Sequence, residues 1–196
     1  EKASALVKEY VSAGFTKIHL DPSMHLADDP GDRTKPLDPD SVATRTALLC
    51  TVAEETFAKS PKQALPPVYV IGTEVPVPGG IQDTSEELHV TEVADFKNTV
   101  EVSKEAFSRK GLFDAWERVI AVVVQPGVEF GDHRVIEYNR EDAAALSSKL
   151  RDYTGLVFEA HSTDYQTALK MREMVEDGFA ILKVGPGLTF VFREGV

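Results

Sequence analysis

Polar and ionisable residues follow short apolar runs at five places along the chain. Continuous apolar runs of this kind are typical of parallel strands that are buried on both faces. Because the carboxyl ends of parallel strands meet at one edge of a sheet, the side chains that follow them can line a common ligand-binding face. In chain order the candidates are Asp21, Glu74, Gln125, Glu159 with His161, and Lys183. The sequence therefore predicts one polar pocket at that edge.

Carboxylate and imidazole residues occur twice at a spacing that permits joint chemistry. Glu159 and His161 are two residues apart, so an extended segment places both side chains on the same side, and His19 and Asp21 share this spacing. Such groups can transfer protons or hold a divalent metal. The alternative is a hydrogen-bonded polar plug inside the fold, with His161 capping the next helix. Residue types alone favour neither interpretation, and histidine spacings typical of zinc sites are absent.

A glycine-bearing turn follows the last apolar run. Gly185 and Gly187 would let backbone N–H groups approach an anion at the start of a helix, and Lys183 adds a positive charge. Phosphate groups often bind after the last two strands of a barrel. We therefore predict that these residues bind a phosphate group and that Gln125 contacts the same substrate. A tight Gly-Pro-Gly turn without a ligand is the alternative.

The segment around Glu74 combines stiff and permissive residues. Pro76 and Pro78 stiffen the exit from the second apolar run, and Gly79 and Gly80 then release the chain into a polar loop. This pattern suits a lid hinged at the two glycines, although a surface loop fits it nearly as well. The chain contains neither a GxxxxGK[ST] nor a GxGxxG pattern, so no nucleotide-binding fingerprint is present.

Amphipathic helical patterns alternate with the apolar runs, which we interpret as strands. The predicted strands are Lys17–Leu20, Val68–Gly72, Val119–Val124, Leu156–Phe158 and Ala180–Leu182. Repeated strand–helix alternation gives parallel βαβ units with right-handed crossovers. Most helix-to-strand connections are short and several strand-to-helix connections are long, as in a (β/α)8 TIM barrel. A flavodoxin-like open sheet is the architectural alternative.

Helix starts are indicated by capping residues, whose side-chain oxygens accept hydrogen bonds from the first turn. The predicted starts are Asp38 before Pro39, Thr91, Asn139, and Thr163 with Gln166 as a capping box. Each of these residues precedes a run with apolar residues at helical spacing.

Composition limits the classes of function. The 196 residues are 42% hydrophobic, which is enough for one globular domain, and the formal net charge is −11. This charge argues against a basic patch for nucleic acid or a membrane surface. The longest apolar run, Val119–Val124, is too short to span a bilayer. Cys50 is the single cysteine, which excludes an internal disulfide and fits a reducing cytoplasm.

The two ends of the sequence suggest a piece of a longer chain. Glu1 lies inside a helical pattern with no initiating methionine, and the tail after Gly187 has the place of a new helix. Five strand–helix units do not close an eight-stranded barrel. We therefore expect residues 1–196 to be part of a single TIM-barrel domain whose amino-terminal strands are missing.

Six sequence blocks resemble the GatZ/KbaZ family, the Z subunits of class II D-tagatose-1,6-bisphosphate aldolase. The blocks are "KIHLDPSM" (17–24), "ADDP" (27–30), "YVIGTEVPVPGG" (69–80), "VVQPGVEF" (123–130), "EAHSTDYQT" (159–167) and "ILKVGPGLTF" (181–190). They occur in order and span essentially the whole chain. The resemblance implies that the five units are strands four to eight of the family's barrel.

The resemblance also implies a function. In this family a Y subunit, similar to zinc-dependent class II aldolases, carries the chemistry, and the Z subunit supports its activity and stability. The leading interpretation is a non-catalytic or weakly active subunit in galactitol/tagatose-type carbohydrate catabolism that retains a sugar-phosphate pocket. The alternative is an aldolase or related lyase active in its own right. Tagatose 6-phosphate kinase activity, a label also used in the family, comes third.

Overall fold

The computed structural model describes residues 1–32, 35–61, 64–72 and 88–196. The helices in these ranges are α1 Lys2–Ser12, α2 Pro39–Phe57, α3 Val93–Arg109, α4 Phe113–Trp116, α5 Arg140–Leu150, α6 Ala168–Glu176 and α7 Pro186–Glu194. The strands are β1 Lys17–His19, β2 Val68–Ile71, β3 Val119–Val123, β4 Glu129–Phe130, β5 Val135–Ile136, β6 Val157–Ala160 and β7 Phe179–Leu182. Glu74 and the predicted lid hinge at Gly79 and Gly80 lie outside the described residues.

Five strands form one sheet in the order β1-β2-β3-β6-β7. The pairings β1–β2, β3–β6 and β6–β7 are parallel, with Ile18 opposite Tyr69 and Val122 opposite Phe158. These strands match the five predicted apolar runs. Their sequential order differs from the 2-1-3-4-5 order of a flavodoxin-like sheet, so that alternative is wrong. The chain has an α/β fold built on a parallel sheet.

A short antiparallel hairpin lies between β3 and α5. It is formed by β4 and β5, in which Glu129 pairs with Ile136 and Phe130 with Val135. The sequence pattern predicts a long strand-to-helix loop for this segment. Two-residue strands are too short to show an alternating apolar pattern, so periodicity does not reveal them.

Two of the predicted helix caps are present in the structure. The Asp38 carboxylate accepts a hydrogen bond from Ser41 N–H at the start of α2. The Asn139 side chain accepts one from Glu141 N–H at the start of α5. Both residues therefore satisfy an N–H group that has no partner within the helix.

The predicted cap at Thr163 is wrong and the one at Thr91 stays a prediction, and both threonine side chains make longer-range contacts. Thr91 Oγ1 accepts from Gln125 N–H at 2.8 Å. Thr163 Oγ1 donates to the Lys183 carbonyl oxygen at 2.8 Å, and α6 is capped instead by Thr167. In both cases a threonine links two segments that are distant along the chain.

The described chain forms two compact units. One comprises Glu1–Thr73 and Lys97–Ile120, and the other comprises Glu74–Phe96 and Ala121–Val196. Strand β3 and helix α3 each contribute residues to both. The single-domain assignment of the sequence analysis stays a prediction.

A hydrogen-bonded network stabilises the first unit. The Arg118 guanidinium donates to the Glu54 carboxylate at 2.6 Å and to the Pro67 carbonyl oxygen at 2.6 Å, and the Tyr69 hydroxyl donates to the same carboxylate. Burial, with the nearby Glu54 charge, raises the pKa of the Cys50 thiol to about 12. Cys50 is therefore a protonated, buried thiol.

Replacing Glu54 with glutamine is expected to lower the free energy of unfolding by about 2 kcal/mol, because Arg118 and Tyr69 lose an anionic acceptor. Denaturant unfolding of the complete protein measures this loss. Glu105→Gln is the matched control, since Glu105 pairs with Arg109 on an exposed helix surface and should contribute under about 0.5 kcal/mol. Equal effects of the two substitutions would contradict a stabilising role for the network.

Candidate functional site

Three of the predicted site residues meet at the ends of β6 and β7. Glu159 lies in β6 and its side chain is fully buried. Its Oε1 atom is 3.2 Å from His161 Nε2 and 3.0 Å from Lys183 Nζ. We refer to Glu159, His161 and Lys183 as the Glu159 cluster. In this cluster one buried carboxylate oxygen holds both an imidazole and an ammonium group.

Parallel pairing of β6 with β7 explains why these residues meet. Ala160 is paired with Leu182, and Lys183 N–H donates to the Ala160 carbonyl oxygen at 2.9 Å. The residue that follows β7 is thereby placed beside the end of β6. The pairing register shifts at this point, because Phe158 pairs with Phe179 and Glu159 with Ile181, which leaves one extra residue in β7; such irregularities are common near functional sites.

The burial of the Glu159 cluster determines what it can do chemically. A carboxylate that is fully removed from water needs charged or hydrogen-bonding partners, and His161 and Lys183 supply both. A carboxylate at an imidazole nitrogen orients the ring and favours one tautomer, which prepares it for proton transfer. The Lys183 side chain is 40% exposed, so its ammonium can also face a ligand. The arrangement suits acid–base chemistry beside an anion.

A divalent metal was predicted as a possible cofactor. Glu159 Oε1 and His161 Nε2 are atoms of the types that bind such metals. The Lys183 ammonium lies against the same oxygen, and a cation placed there would repel it. The metal stays a prediction.

The loop after β6 is polar yet buried. Ser162, Thr163, Asp164 and Gln166 are all buried, together with His161. Ser162 and Tyr165 also have positive φ angles of 53° and 62°. Non-glycine residues rarely adopt this backbone conformation, and such strain concentrates at functional sites. Nothing in the residue types of this loop signals the conformation.

An internal carboxylate contacts the predicted phosphate-binding amides. Asp164 Oδ1 accepts hydrogen bonds from Gly185 N–H at 2.9 Å and from Gly187 N–H at 2.8 Å. A Cβ atom on Gly187 would lie 3.0 Å from the same oxygen, so a larger residue there would press on the Asp164 carboxylate. A phosphate at these amides would have to displace Asp164. Sequence reasoning missed Asp164, because nothing in its local sequence points to residues 21 and 23 positions away.

Gln125 shapes the turn after β3. Its side-chain Oε1 accepts from Gly127 N–H at 2.7 Å and from Val128 N–H at 3.0 Å. The side chain is buried, and the Gln125 carbonyl oxygen accepts from Thr91 N–H at 2.9 Å. These contacts give Gln125 a structural role, and its predicted contact with substrate stays a prediction.

Asp21 belongs to the other compact unit and is exposed. Its carboxylate accepts from Ser23 N–H at 3.1 Å, a local turn after β1. His19, on β1, places its Nε2 atom 3.4 Å from the Gly72 carbonyl oxygen. The catalytic role predicted for Asp21 stays a prediction.

The described residues contain no helix long and apolar enough to cross a membrane. This agrees with the short apolar runs of the sequence.

Comparison with known proteins covers the whole chain. The family described as "D-tagatose-1,6-bisphosphate aldolase subunit GatZ/KbaZ-like" matches residues 1–196. The D-tagatose-1,6-bisphosphate aldolase subunit GatZ of Klebsiella pneumoniae is 54% identical over 196 residues, which are all of this chain and 45% of that protein. GatZ of Salmonella paratyphi B is 53% identical with the same coverage. The chain thus spans less than half the length of these relatives.

A solved structure is also similar. The probable tagatose 6 phosphate kinase from Sinorhizobium meliloti 1021 matches with a TM-score of 0.82 and 47% identity, over 98% of this chain and 43% of that one. The full-length family match and the identity to the curated relatives confirm the resemblance found in the sequence. The chain belongs to the GatZ/KbaZ-like family of D-tagatose-1,6-bisphosphate aldolase subunits.

Proposed function

We propose that the complete protein is the supporting, Z-type subunit of a class II tagatose-1,6-bisphosphate aldolase and that it binds a sugar phosphate at the Glu159 cluster. The main support for the proposal is the buried Glu159 carboxylate, one oxygen of which contacts both His161 and Lys183. A protein that only scaffolds a partner has no need of a charge buried in this way, because burial of an ion is costly.

The proposed architecture is a (β/α)8 barrel in which the five parallel strands are strands four to eight. Their sequential order and the similarity to a solved relative support it. In such barrels the ligand site lies at the carboxyl ends of the strands, and the Glu159 cluster lies at the ends of β6 and β7. We place the protein in the cytoplasm beside a catalytic Y-type partner.

The chemistry of a ketose bisphosphate fits this cluster. Its phosphate groups are anions, and the partly exposed Lys183 ammonium offers charge-assisted hydrogen bonds to them. Its hydroxyl and carbonyl groups exchange protons during aldol chemistry, and His161 on Glu159 is a proton-transfer group. The site therefore has one group for binding and a pair of groups for proton movement.

The pair of Glu159 and His161 also favours a second candidate, an aldolase active in its own right. Aldol cleavage of tagatose 1,6-bisphosphate by the complete protein alone, by a Y-type partner alone and by the two together separates the candidates. We expect cleavage by the partner, a longer active lifetime of the partner in the mixture, and little cleavage by this protein alone. Parallel reactions with EDTA test the predicted metal.

Two results would contradict the supporting role. Cleavage by this protein alone at the rate of the mixture would make it an enzyme in its own right. Unchanged activity and lifetime of the partner would remove the basis for a supporting subunit. A kinase is tested by adding ATP and tagatose 6-phosphate, and we expect no product because the chain lacks a nucleotide-binding fingerprint.

Substitutions at Lys183 and His161 are expected to separate binding from proton transfer. Lys183→Met removes a charge-assisted contact and should weaken tagatose 1,6-bisphosphate binding by about tenfold or more. It should also lower stability, because Glu159 loses an ion-pair partner. His161→Asn keeps an N–H donor for Glu159, so affinity should change little while any proton transfer is lost.

Calorimetric titration of the complete protein measures both effects. Lys170→Met is the matched control, since Lys170 is also a partly buried lysine in an ion pair, with Glu173 of α6, and should leave affinity unchanged. Unchanged affinity in Lys183→Met, together with lower stability, would show that Lys183 is a purely structural ion-pair partner.

A further inference from the structure

The loop after β6 is joined to the segment after β7 by a set of hydrogen bonds. Thr163 contributes two, its N–H at 3.2 Å and its hydroxyl at 2.8 Å, both donated to the Lys183 carbonyl oxygen. Asp164 accepts the N–H groups of Gly185 and Gly187. Two adjacent residues of one loop therefore fix both ends of the segment from Lys183 to Gly187.

Of these two residues, Asp164 is the one whose carboxylate binds two backbone N–H groups of the segment. Its residue exposure is 4%, and its second oxygen also lies 3.1 Å from Gly185 N. It stands between Ser162 and Tyr165, whose positive φ angles each cost on the order of 1 kcal/mol. Other contacts must offset the free energy of this backbone strain. The hydrogen bonds from N–H groups at the start of a helix to the buried Asp164 carboxylate are strong contacts of this kind.

The position of Lys183 depends on this arrangement. Its main chain is held on one side by Ala160, which accepts its N–H, and on the other by Thr163, which donates to its carbonyl oxygen. Its side chain then reaches Glu159 Oε1 at 3.0 Å. A shift of the segment from Lys183 to Gly187 would move the ammonium group away from that oxygen.

We propose that Asp164 is a positioning residue for the Glu159 cluster. The N–H groups at the start of α7 bind the Asp164 carboxylate and not a phosphate of the substrate. This contact keeps the Lys183 ammonium in its ion pair with Glu159. The ligand phosphate then binds through the Lys183 side chain instead of the amides of Gly185 and Gly187. The proposal rests on the proposed function only for its statement about sugar phosphate.

Competitive acetylation of lysines in the complete protein tests the positioning role without reference to any ligand. An ammonium held by a carboxylate reacts slowly, and one released into solvent reacts faster. We expect Asp164→Ala to raise acetylation of Lys183 severalfold relative to the exposed Lys8, measured by mass spectrometry. Asp164→Asn keeps an Oδ1 acceptor for both glycine N–H groups and should stay within about twofold of the wild type.

Folding of each variant is checked by its thermal melt. If Asp164→Ala does not fold, Asp164→Ser takes its place with the same expectation, since a hydroxyl spans only part of the contact. Thr163→Val, which removes the hydroxyl bond to Lys183 at similar volume, should give an intermediate increase. Unchanged Lys183 acetylation in a folded Asp164→Ala or Asp164→Ser protein would overturn the proposal.

Calorimetry with tagatose 1,6-bisphosphate adds a functional measurement. Asp164→Ala should weaken binding about as much as Lys183→Met, and the double variant should be no weaker, because both act through one contact. Tighter binding of inorganic phosphate by Asp164→Ala would show that the glycine amides are a ligand site blocked by Asp164, and would overturn the proposal. Failure of the wild type to bind sugar phosphate would contradict the proposed function and leave the acetylation result standing.

Discussion

Replacing Glu159 with glutamine is expected to weaken sugar-phosphate binding about as much as Lys183→Met does, by about tenfold, and to lower the free energy of unfolding by about 3 kcal/mol. The substitution keeps the shape of the side chain and removes its charge. Lys183 and His161 then face a neutral amide in a position closed to water. Calorimetric titration and denaturant unfolding of the complete protein measure the two losses.

Glu173→Gln is the control for Glu159→Gln. Glu173 also pairs with a lysine, Lys170, but its side chain is 23% exposed whereas that of Glu159 is fully buried, so its loss should cost about 1 kcal/mol or less. Lower stability with unchanged affinity in Glu159→Gln would mean that the Glu159 cluster is a hydrogen-bonded polar plug. That was the structural alternative in the sequence analysis.

Phe158→Ala is expected to destabilise the protein by about 4 kcal/mol, because it removes a fully buried ring from the core. The ring centroid of Phe158 is 5.2 Å from that of Phe96 and 5.1 Å from that of Phe179. Phe158 precedes Glu159 on β6, so its side chain supports the opposite face of the strand that carries the site. Loss of this packing should also reduce sugar-phosphate affinity.

Denaturant unfolding measures the effect of Phe158→Ala, with Phe113→Ala as the control. Phe113 is 63% exposed, and its truncation should cost under about 1 kcal/mol. A Phe158→Ala protein as stable as Phe113→Ala would contradict the description of this aromatic core.

The sequence predicts the Glu159 cluster because each inference that leads to it depends on a regular repeat in the chain. Apolar runs mark buried strands, and the period of two places Glu159 and His161 on one side of the chain. Parallel pairing of sequential strands then brings Lys183 beside them, as the register of β6 and β7 confirms. No knowledge of individual long-range contacts is needed for these steps.

The contacts that the sequence does not predict are specific and long-range. The capping-box interpretation of Thr163 and Gln166 assumed local bonds, yet Gln166 accepts from Tyr138 N–H at 3.0 Å and donates to the Ile136 carbonyl oxygen at 2.9 Å. Polar side chains of this kind can form hydrogen bonds with nearby backbone groups as well as with distant ones. Only tertiary packing decides between them, and the same ambiguity concealed Asp164.

A crystal structure of the complete protein with tagatose 1,6-bisphosphate would show directly whether the sugar phosphate binds at the Glu159 cluster. We expect a phosphate oxygen at hydrogen-bond distance, about 3 Å, from Lys183 Nζ. His161 should face the hydroxyl or carbonyl groups of the sugar, and Asp164 should remain on Gly185 and Gly187. A sugar phosphate bound away from Lys183, or a phosphate on the two glycine amides with Asp164 displaced, would contradict this expectation.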